Sequence, residues 1–315
     1  MRAVVIDSGE LVIQERPTPT PGEGDVLVRV EAAGLNAADL LQRLGLYPAP
    51  PGAPADIPGM ELAGVVEAVG PGVTRDVLGR RVCAVVGGGA QATHCVVPFE
   101  HLISVPDAFD TVAAGGFAET FSTALDALVT QASLAANERV LISGAAGGVG
   151  SAAVQIAASF GATPIAVVRD LVHADALREL GASAVVMLDQ VDSLEPVDVV
   201  LELVGAAHLE HAQRVLARHA RVVIIGVGSG GSRVELDLLG IMTKRVVLTG
   251  STLRARSRGE KADVAALVER DLIPLAAAGS LRVPVAATFL LDEVVSAYDA
   301  FAQRGKLGKI VLTTL

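Results

Sequence analysis

The glycine-rich segment VLISGAAGGVGSAAVQIAA, residues 140–158, constrains the fold of this chain more than any other feature. Gly144, Gly147 and Gly150 recur every three residues between an apolar run that predicts a strand and an Ala-rich run that predicts a helix. Glycine permits a tight turn and a close approach of the backbone to a pyrophosphate, and the N-terminus of a helix attracts that anion. The context of strand, turn and helix therefore predicts a dinucleotide-binding turn rather than a purely structural one.

The sequence on either side of this turn indicates two kinds of architecture. Residues 1–117 contain short apolar or alternating runs separated by Pro and Gly, which is typical of a β-rich domain. Residues 118–252 alternate predicted strands with helices, including Thr120–Gln131 and Ala207–Ala217, which is typical of a doubly wound parallel sheet. Residues 253–315 add helices and a last strand. We therefore expect an α/β protein in which a nucleotide-binding domain is inserted into a β-rich domain built from both ends of the chain.

Charge and composition argue against several classes of partner. The formal net charge of −10 disfavours nucleic acid, whose binding depends on clustered Lys and Arg. No apolar run approaches the roughly 18 residues that a membrane helix needs, and the N-terminus lacks a signal-peptide core. The two cysteines, Cys83 and Cys95, have no CxxC spacing and make no disulfide framework, so both are expected to be reduced. A cytoplasmic protein with neither nucleic-acid nor membrane partners is expected.

The end of the second predicted strand of the nucleotide-binding region bears on the choice of cofactor. Arg169 and Asp170 stand there side by side, with His173 nearby. An acidic residue at this place binds the ribose 2′-hydroxyl of NAD, whereas an Arg suits the 2′-phosphate of NADP because its guanidinium forks onto phosphate. We favour NADPH, with Arg169 on the phosphate and with Asp170 and His173 as further expected cofactor contacts. Asp170 leaves two alternatives open, which are tolerance of NADH and an Arg–Asp surface turn without a ligand.

Motifs along nearly the whole chain resemble those of the medium-chain dehydrogenase/reductase superfamily, in particular its zinc-free quinone oxidoreductase branch. Besides the glycine-rich turn they are PGEGDVLVRVEAAGLNAADLLQRLGLYP (21–48), IPGMELAGVVEAVGPGV (57–73), GGGAQATHCVVP (87–98) and GKIVL (308–312). The resemblance implies a GroES-like catalytic domain and a Rossmann domain that binds NADP(H), with a quinone or an activated alkene as the small-molecule substrate. It also implies a homodimer joined through edge strands near Met242–Leu248, although this run alternatively forms an internal strand.

The chain departs from the zinc-dependent members of the superfamily at the metal site. Those enzymes hold the catalytic zinc with an early Cys and the His of a Gly-His-Glu motif, and the corresponding positions here are Asn36 and Met60. A thioether is a poor zinc ligand, so no metal is expected. Without Lewis-acid polarisation an electron-poor acceptor is favoured, and a quinone fits that description. An enoyl or enone reductase on the same fold and a non-catalytic NADPH-binding protein are the alternatives.

The resemblance also assigns roles to single residues. Asn36 is expected to donate to a developing oxyanion, and Tyr47 to stack on or hydrogen-bond the acceptor; a turn residue and a loop packing residue are the respective alternatives. Asp39 is expected to orient its loop. Lys309 is expected to reach a cofactor phosphate or to cap the last strand. The other expected cofactor contacts are Thr123, Ala146, Gly147, Gly148, Val149, Gly150, Gly226, Val227, Ser251 and Leu253.

Overall fold

The computed structural model describes residues 1–228 and 230–314, which divide into two compact units. Unit 1 comprises Met1–Ser122, Leu253–Arg304 and the chain from Lys309 to its described end. Unit 2 comprises Thr123–Thr252 together with Gly305–Gly308. The first boundary therefore falls after Ser122 rather than after residue 117, and residues 305–308 belong with the nucleotide-binding unit rather than with the β-rich one.

Both units are built mainly from short strands. In chain order the strands are β1 (Arg2–Asp7), β2 (Glu10–Glu15), β3 (Asp25–Gly34), β4 (Glu61–Val69), β5 (Arg81–Val85), β6 (His94–Pro98), β7 (Ile103–Ser104), β8 (Arg139–Ile142), β9 (Thr163–Val168), β10 (Ala184–Met187), β11 (Val197–Glu202), β12 (Leu216–Ile224), β13 (Val247–Gly250), β14 (Val285–Leu290) and β15 (Lys309–Thr313). The α-helices are α1 (Ala37–Arg43), α2 (Thr111–Gly115), α3 (Ala118–Leu125), α4 (Gly148–Ser159), α5 (Ala174–Glu179), α6 (Ala206–Ala212), α7 (Leu238–Lys244), α8 (Arg258–Asp271), α9 (Ile273–Ala277) and α10 (Val294–Ala302). None of the helices in the described part of the chain is long and apolar enough to cross a membrane.

Unit 1 folds around a mostly antiparallel sheet of seven strands in the order β14-β15-β3-β4-β5-β7, with β6 also paired to β3. β1 and β2 form a separate antiparallel pair. The alternating apolar residues of β3 pack with those of β4, β5 and β6 into a core that includes Val28, Leu62, Val82 and Val97. The last strand, β15, returns from the C-terminal end of the chain and pairs with β3, so both ends of the sequence build this unit.

Unit 2 confirms the predicted doubly wound sheet. Six parallel strands lie in the order β10-β9-β8-β11-β12-β13. The strands β8, β9 and β11 are almost wholly buried, as expected for a parallel sheet covered on both faces. The order reverses between β8 and β11, and sheets of this kind bind ligands beyond the carboxyl ends of the strands at such a point.

Two predicted helices of unit 2 are shorter than the sequence pattern suggested. The helix expected over Ala207–Ala217 ends at Ala212, because a 3-10 turn follows and β12 already begins at Leu216. The helix expected over Thr120–Gln131 is regular only as far as Leu125 and continues as a π-helical turn over Asp126–Gln131. In both cases the apolar pattern continues across a change of backbone geometry, so the pattern alone does not mark the end of the helix.

Candidate cofactor and acceptor sites

The glycine-rich turn connects β8 to α4 at the centre of the unit 2 sheet. Gly144 adopts a φ of 60° and its carbonyl accepts a hydrogen bond from the Gly147 N–H at 2.9 Å. Gly147 is the N-cap of α4, so the N–H groups of residues 148–150 lie in the first helical turn, which has no intrahelical acceptors. A side chain at Gly150 would place its Cβ 2.6 Å from the Ala145 Cα. The turn therefore requires glycine for packing and presents backbone donors that suit a phosphate.

Glu202 at the end of β11 fixes the neighbouring loop. Its Oε1 accepts hydrogen bonds from the Ser143 hydroxyl at 2.8 Å and from the Val204 and Gly205 N–H groups at 2.7 Å. The side chain is buried, and burial raises the pKa of this carboxyl above its ordinary value. The sequence analysis did not select Glu202, because an acidic residue in an apolar strand carries no motif of its own. It ties together the two strand ends at the point where the strand order reverses.

Three further expected cofactor residues of unit 2, Gly226, Val227 and Ser251, follow strands at the same edge of its sheet. Gly226 and Val227 follow β12, and a Cβ at Gly226 would lie 3.1 Å from the Leu203 carbonyl carbon. Ser251 follows β13, where its N–H donates to the Ile224 carbonyl at 3.0 Å. Thr123 is buried in α3. Leu253, by contrast, is buried in unit 1.

A basic group lies at the end of β9. Arg169 is exposed there, and its charge contributes, after burial, to lowering the pKa values of His208 and Lys306. Asp170 accepts a hydrogen bond from the Val172 N–H at 3.2 Å, as in a local turn. The positive group thus contains Lys306, which the sequence analysis missed because this residue is distant in sequence from the β9 end.

The segment Gly305–Gly308 carries Lys306 and is hydrogen-bonded to unit 2 at both ends. The His173 imidazole Nε2 pairs with the Gly305 carbonyl at 3.0 Å. The Gly308 N–H donates to the Ala146 carbonyl of the glycine-rich turn at 2.8 Å. His173 therefore holds the Lys306 segment, whereas the sequence analysis expected this imidazole to contact the cofactor itself.

Unit 1 contains a buried ion pair between Lys309 and Glu61. The Lys309 Nζ lies 2.6 Å from the Glu61 Oε1, and the two side chains are 3% and 0% exposed. The same ammonium donates to the Leu35 carbonyl at 2.6 Å and to the Asn36 Oδ1 at 2.7 Å. Its three hydrogens thus have three protein acceptors. This enclosure in unit 1 does not favour the expected contact with a cofactor phosphate, and Lys309 is the first residue of the last strand, the other place that was expected for it.

Asn36 belongs to the same buried network. Its Nδ2 donates to the Glu61 Oε1 at 3.0 Å and to the Gly34 carbonyl at 3.3 Å, while its Oδ1 accepts from Lys309. Both amide hydrogens are thus already paired within the protein, so donation to a developing oxyanion would require one of these partners to be displaced. A side chain at Gly34 would place its Cβ 2.9 Å from the Glu61 Cδ, so the network also depends on that glycine.

Asp39 is enclosed at the start of α1. It accepts hydrogen bonds from the Asn36 N–H at 2.8 Å and the Gly59 N–H at 3.1 Å. Burial raises the pKa of this carboxyl to about 6, although these hydrogen bonds and the charges of Lys309 and Arg254 oppose the rise. Asp39 holds the residue 36 turn against residue 59, which agrees with the expected orienting role.

Tyr47 lies beside Arg254, a buried cation that the sequence analysis did not select. The Arg254 guanidinium carbon is 5.1 Å from the centre of the Tyr47 ring, and its Nη1 donates to the Tyr47 carbonyl at 3.0 Å. Tyr47 itself is half-buried. Arg254 belongs to a run with Arg256 and Arg258, and nothing in the sequence distinguishes it from these two neighbours.

We predict that Lys309→Met lowers the free energy of unfolding by about 3–5 kcal/mol, since it leaves the Glu61 carboxylate buried without a counter-charge. Urea unfolding measures this change. The double variant Lys309→Met/Glu61→Gln is expected to recover part of the loss, because it also removes the uncompensated charge. Lys244→Met, at a half-buried lysine of α7, serves as the control and is expected to change stability by about 0.5 kcal/mol or less. Equal losses for the two lysines would contradict the account.

Comparison with known proteins identifies the family. A family model described as "Alcohol dehydrogenase GroES-like domain" matches residues 22–130, and one described as "Zinc-binding dehydrogenase" matches residues 148–270. The quinone oxidoreductase-like protein 2 homolog of Nematostella vectensis is 31% identical, with 96% of the chain and 86% of that relative covered. The quinone oxidoreductase of Sus scrofa is 29% identical, with 93% and 90% covered.

A solved structure supports the same assignment. The mycobacterial protein Rv1454c, whose structure contains NADPH, superposes with a TM-score of 0.85 at 27% identity, covering 99% of this chain and 100% of that one. In agreement with the fold and the glycine-rich turn, the chain belongs to the medium-chain dehydrogenase/reductase superfamily, in its quinone oxidoreductase-like branch.

Proposed function

We propose that this protein is a zinc-independent, NADPH-dependent oxidoreductase that reduces quinones. The observation that carries the proposal is the buried group of Lys309, Glu61 and Asn36. The resemblance places a metal ligand at position 36, and here an ammonium lies 2.7 Å from the amide oxygen of that residue. The two positions that correspond to zinc ligands in the resemblance carry an amide, Asn36, and a thioether, Met60, rather than thiolate or imidazole. The Glu61 carboxylate beside Asn36 is already paired with the Lys309 ammonium.

The side chains that could serve as metal ligands support an acceptor that is reduced without a Lewis acid. Among the described residues no group of three or more His, Cys, Asp or Glu side chains is placed to hold a metal ion. A quinone is already electron-poor, so its reduction depends chiefly on orientation and on the exclusion of water. The names of the relatives from Nematostella vectensis and Sus scrofa support the same substrate class. Tyr47, beside its buried Arg254, is the aromatic surface on which we propose that a planar acceptor stacks.

The residues of unit 2 fit a phosphorylated nicotinamide cofactor. The first turn of α4 offers backbone donors for the pyrophosphate, and Arg169 with Lys306 offers positive charge for a 2′-phosphate. Asp170 accepts a backbone hydrogen bond locally, so the proposed preference for NADPH over NADH rests on the two cations rather than on Asp170. When bound, the cofactor supplies the reducing equivalents, and the protein contributes binding and orientation.

A screen of initial rates tests the proposed activity. The protein is mixed with NADPH and, in separate assays, with benzoquinones, naphthoquinones, enones and enoyl thioesters, and consumption of NADPH is followed by absorbance. We expect turnover with the quinones. Turnover confined to enones or enoyl thioesters would replace the proposal by the reductase of activated alkenes. Cofactor binding without turnover of any acceptor would indicate a non-catalytic NADPH-binding protein.

A binding titration tests the cofactor preference. We expect Arg169→Ala to weaken NADPH by about 1.5–3 kcal/mol, the range for a charge-assisted hydrogen bond, and to leave NADH almost unchanged. Lys306→Met is expected to act in the same direction. Arg178→Ala is the control, because Arg178 is an exposed arginine of α5 that pairs with Asp175. Equal losses for both cofactors, or tighter binding of NADH by the unaltered protein, would contradict the preference.

We also propose that the protein forms a homodimer through β13. This strand lies at the edge of the unit 2 sheet, where in the described part of the chain it pairs only with β12. Of the predicted run Met242–Leu248, residues 242–244 belong to α7 and residues 247 and 248 to β13. Next to it in sequence, Leu238, Leu239 and Met242 of α7 are 72%, 65% and 67% exposed. An open edge strand together with exposed apolar side chains favours a self-complementary contact between two copies.

Light scattering measures the oligomeric state. We expect a particle of about twice the 32.1 kDa of one chain, and we expect Leu239→Asp with Met242→Asp to shift it to one chain. Leu290→Asp is the control, because Leu290 is an exposed leucine of unit 1, and it is expected to leave the mass unchanged. A single-chain mass for the unaltered protein would overturn the proposal.

A further inference from the structure

Arg254 joins three separate segments of unit 1 through one guanidinium. Its Nε donates to the Gly87 carbonyl at 2.8 Å, its Nη1 donates to the Tyr47 carbonyl at 3.0 Å, and its Nη2 donates to the Gln42 Oε1. The side chain is only 4% exposed, although it carries a charge. All three acceptors are neutral, so the hydrogen bonds restrict the position of the cation without neutralising it.

In the segment that follows Tyr47, backbone hydrogen bonds to the rest of unit 1 begin at residue 56, whose carbonyl accepts from the Ile6 N–H at 2.8 Å. Residues 48–60 contain five prolines and form neither helix nor strand. Gln42, which accepts from Arg254, also donates through its Nε2 to the Ala55 carbonyl at 3.1 Å. Arg254 and Gln42 therefore connect α1 to both the beginning and the middle of this loop. The stretch between Tyr47 and residue 56 therefore depends on such side-chain contacts for a fixed position.

The same guanidinium contacts the Tyr47 ring. The distance of 5.1 Å to the ring centre is within the range of a cation–π interaction, which favours a guanidinium over a ring face. Arg254 thus holds both the backbone and the side chain of Tyr47. Because a lysine has neither the planar fork nor the reach for three diverging acceptors, only an arginine makes this set of contacts.

We propose that Arg254 is the positioning residue that holds the Tyr47 ring in the orientation that planar acceptors require, and that it thereby determines affinity for aromatic quinones. The role of Tyr47 in acceptor binding rests on the proposed function. The orientation of the Tyr47 ring by Arg254 is independent of the proposed function.

A double-variant cycle tests the link to the acceptor. We expect Tyr47→Ala and Arg254→Met each to raise the KM for a naphthoquinone about five-fold, the size of a lost stacking or cation–π contact. The double variant is expected to match Tyr47→Ala alone, because Arg254 acts through that ring. The Kd for NADPH is expected to change less than about two-fold, and Arg254→Lys is not expected to restore the KM. Arg256→Met is the control from the same segment.

Additive effects of the two substitutions, a wild-type KM in Arg254→Met, or recovery by Arg254→Lys would overturn the proposal. A general structural defect would instead lower kcat and weaken NADPH together with the acceptor. If Arg254→Met does not fold, Arg254→Lys carries the same cycle, because it retains the charge but loses the fork.

Tyrosine fluorescence tests the positioning without any activity. The chain has no Trp and two Tyr residues, and Tyr298 is buried with its hydroxyl 3.0 Å from the Gln91 Oε1. In a Tyr298→Phe background, Tyr47 is the remaining tyrosine. We expect Arg254→Met to increase quenching of its emission by acrylamide and to lower its anisotropy, whereas Arg256→Met changes neither. Unchanged quenching and anisotropy would overturn the positioning role, while failure of the quinone assay alone would overturn only the proposed function.

Discussion

The buried ion pair between Lys309 and Glu61 is the interaction on which unit 1 depends. It joins the first residue of β15 to the first residue of β4, and through Asn36 it also holds the N-terminus of α1. Enclosing two charges is costly unless geometry and further hydrogen bonds compensate, and here the ammonium has three acceptors and the carboxylate three donors. The last strand of the chain is thus connected to β4 and to the start of α1.

This arrangement changes the chemistry that is expected at position 36. The sequence alone makes Asn36 a plausible hydrogen-bond donor to a substrate, but the structure assigns both amide hydrogens to the protein. The aromatic and cationic groups that remain near the start of the proline-rich loop are Tyr47 and Arg254. These groups are the basis of our proposal of a flat, electron-poor acceptor, since an alcohol needs a metal to polarise its oxygen.

Residues 304–309 illustrate what the sequence predicts and what it does not. The glycine-rich turn and the parallel sheet follow from local pattern, because glycine spacing and apolar strands depend on near neighbours. The run Lys306-Leu307-Gly308-Lys309 gives no such guidance, since its two lysines are alike in sequence but lie in different units. Lys306 joins the basic group at β9, whereas Lys309 is enclosed with Glu61. Contacts between residues that are distant in sequence decide which lysine joins which group. The contact of Arg254 with Tyr47 is a second example of such a long-range contact.

We propose that this protein reduces its acceptor with NADPH and without a metal ion. The most direct measurement is a single turnover by protein stripped of metal, verified by elemental analysis, that is loaded with one equivalent of NADPH and mixed with excess quinone. The account predicts that all bound NADPH is consumed and that added Zn²⁺ does not increase the rate. Consumption that appears only after Zn²⁺ is restored, in proportion to the metal bound, would contradict it.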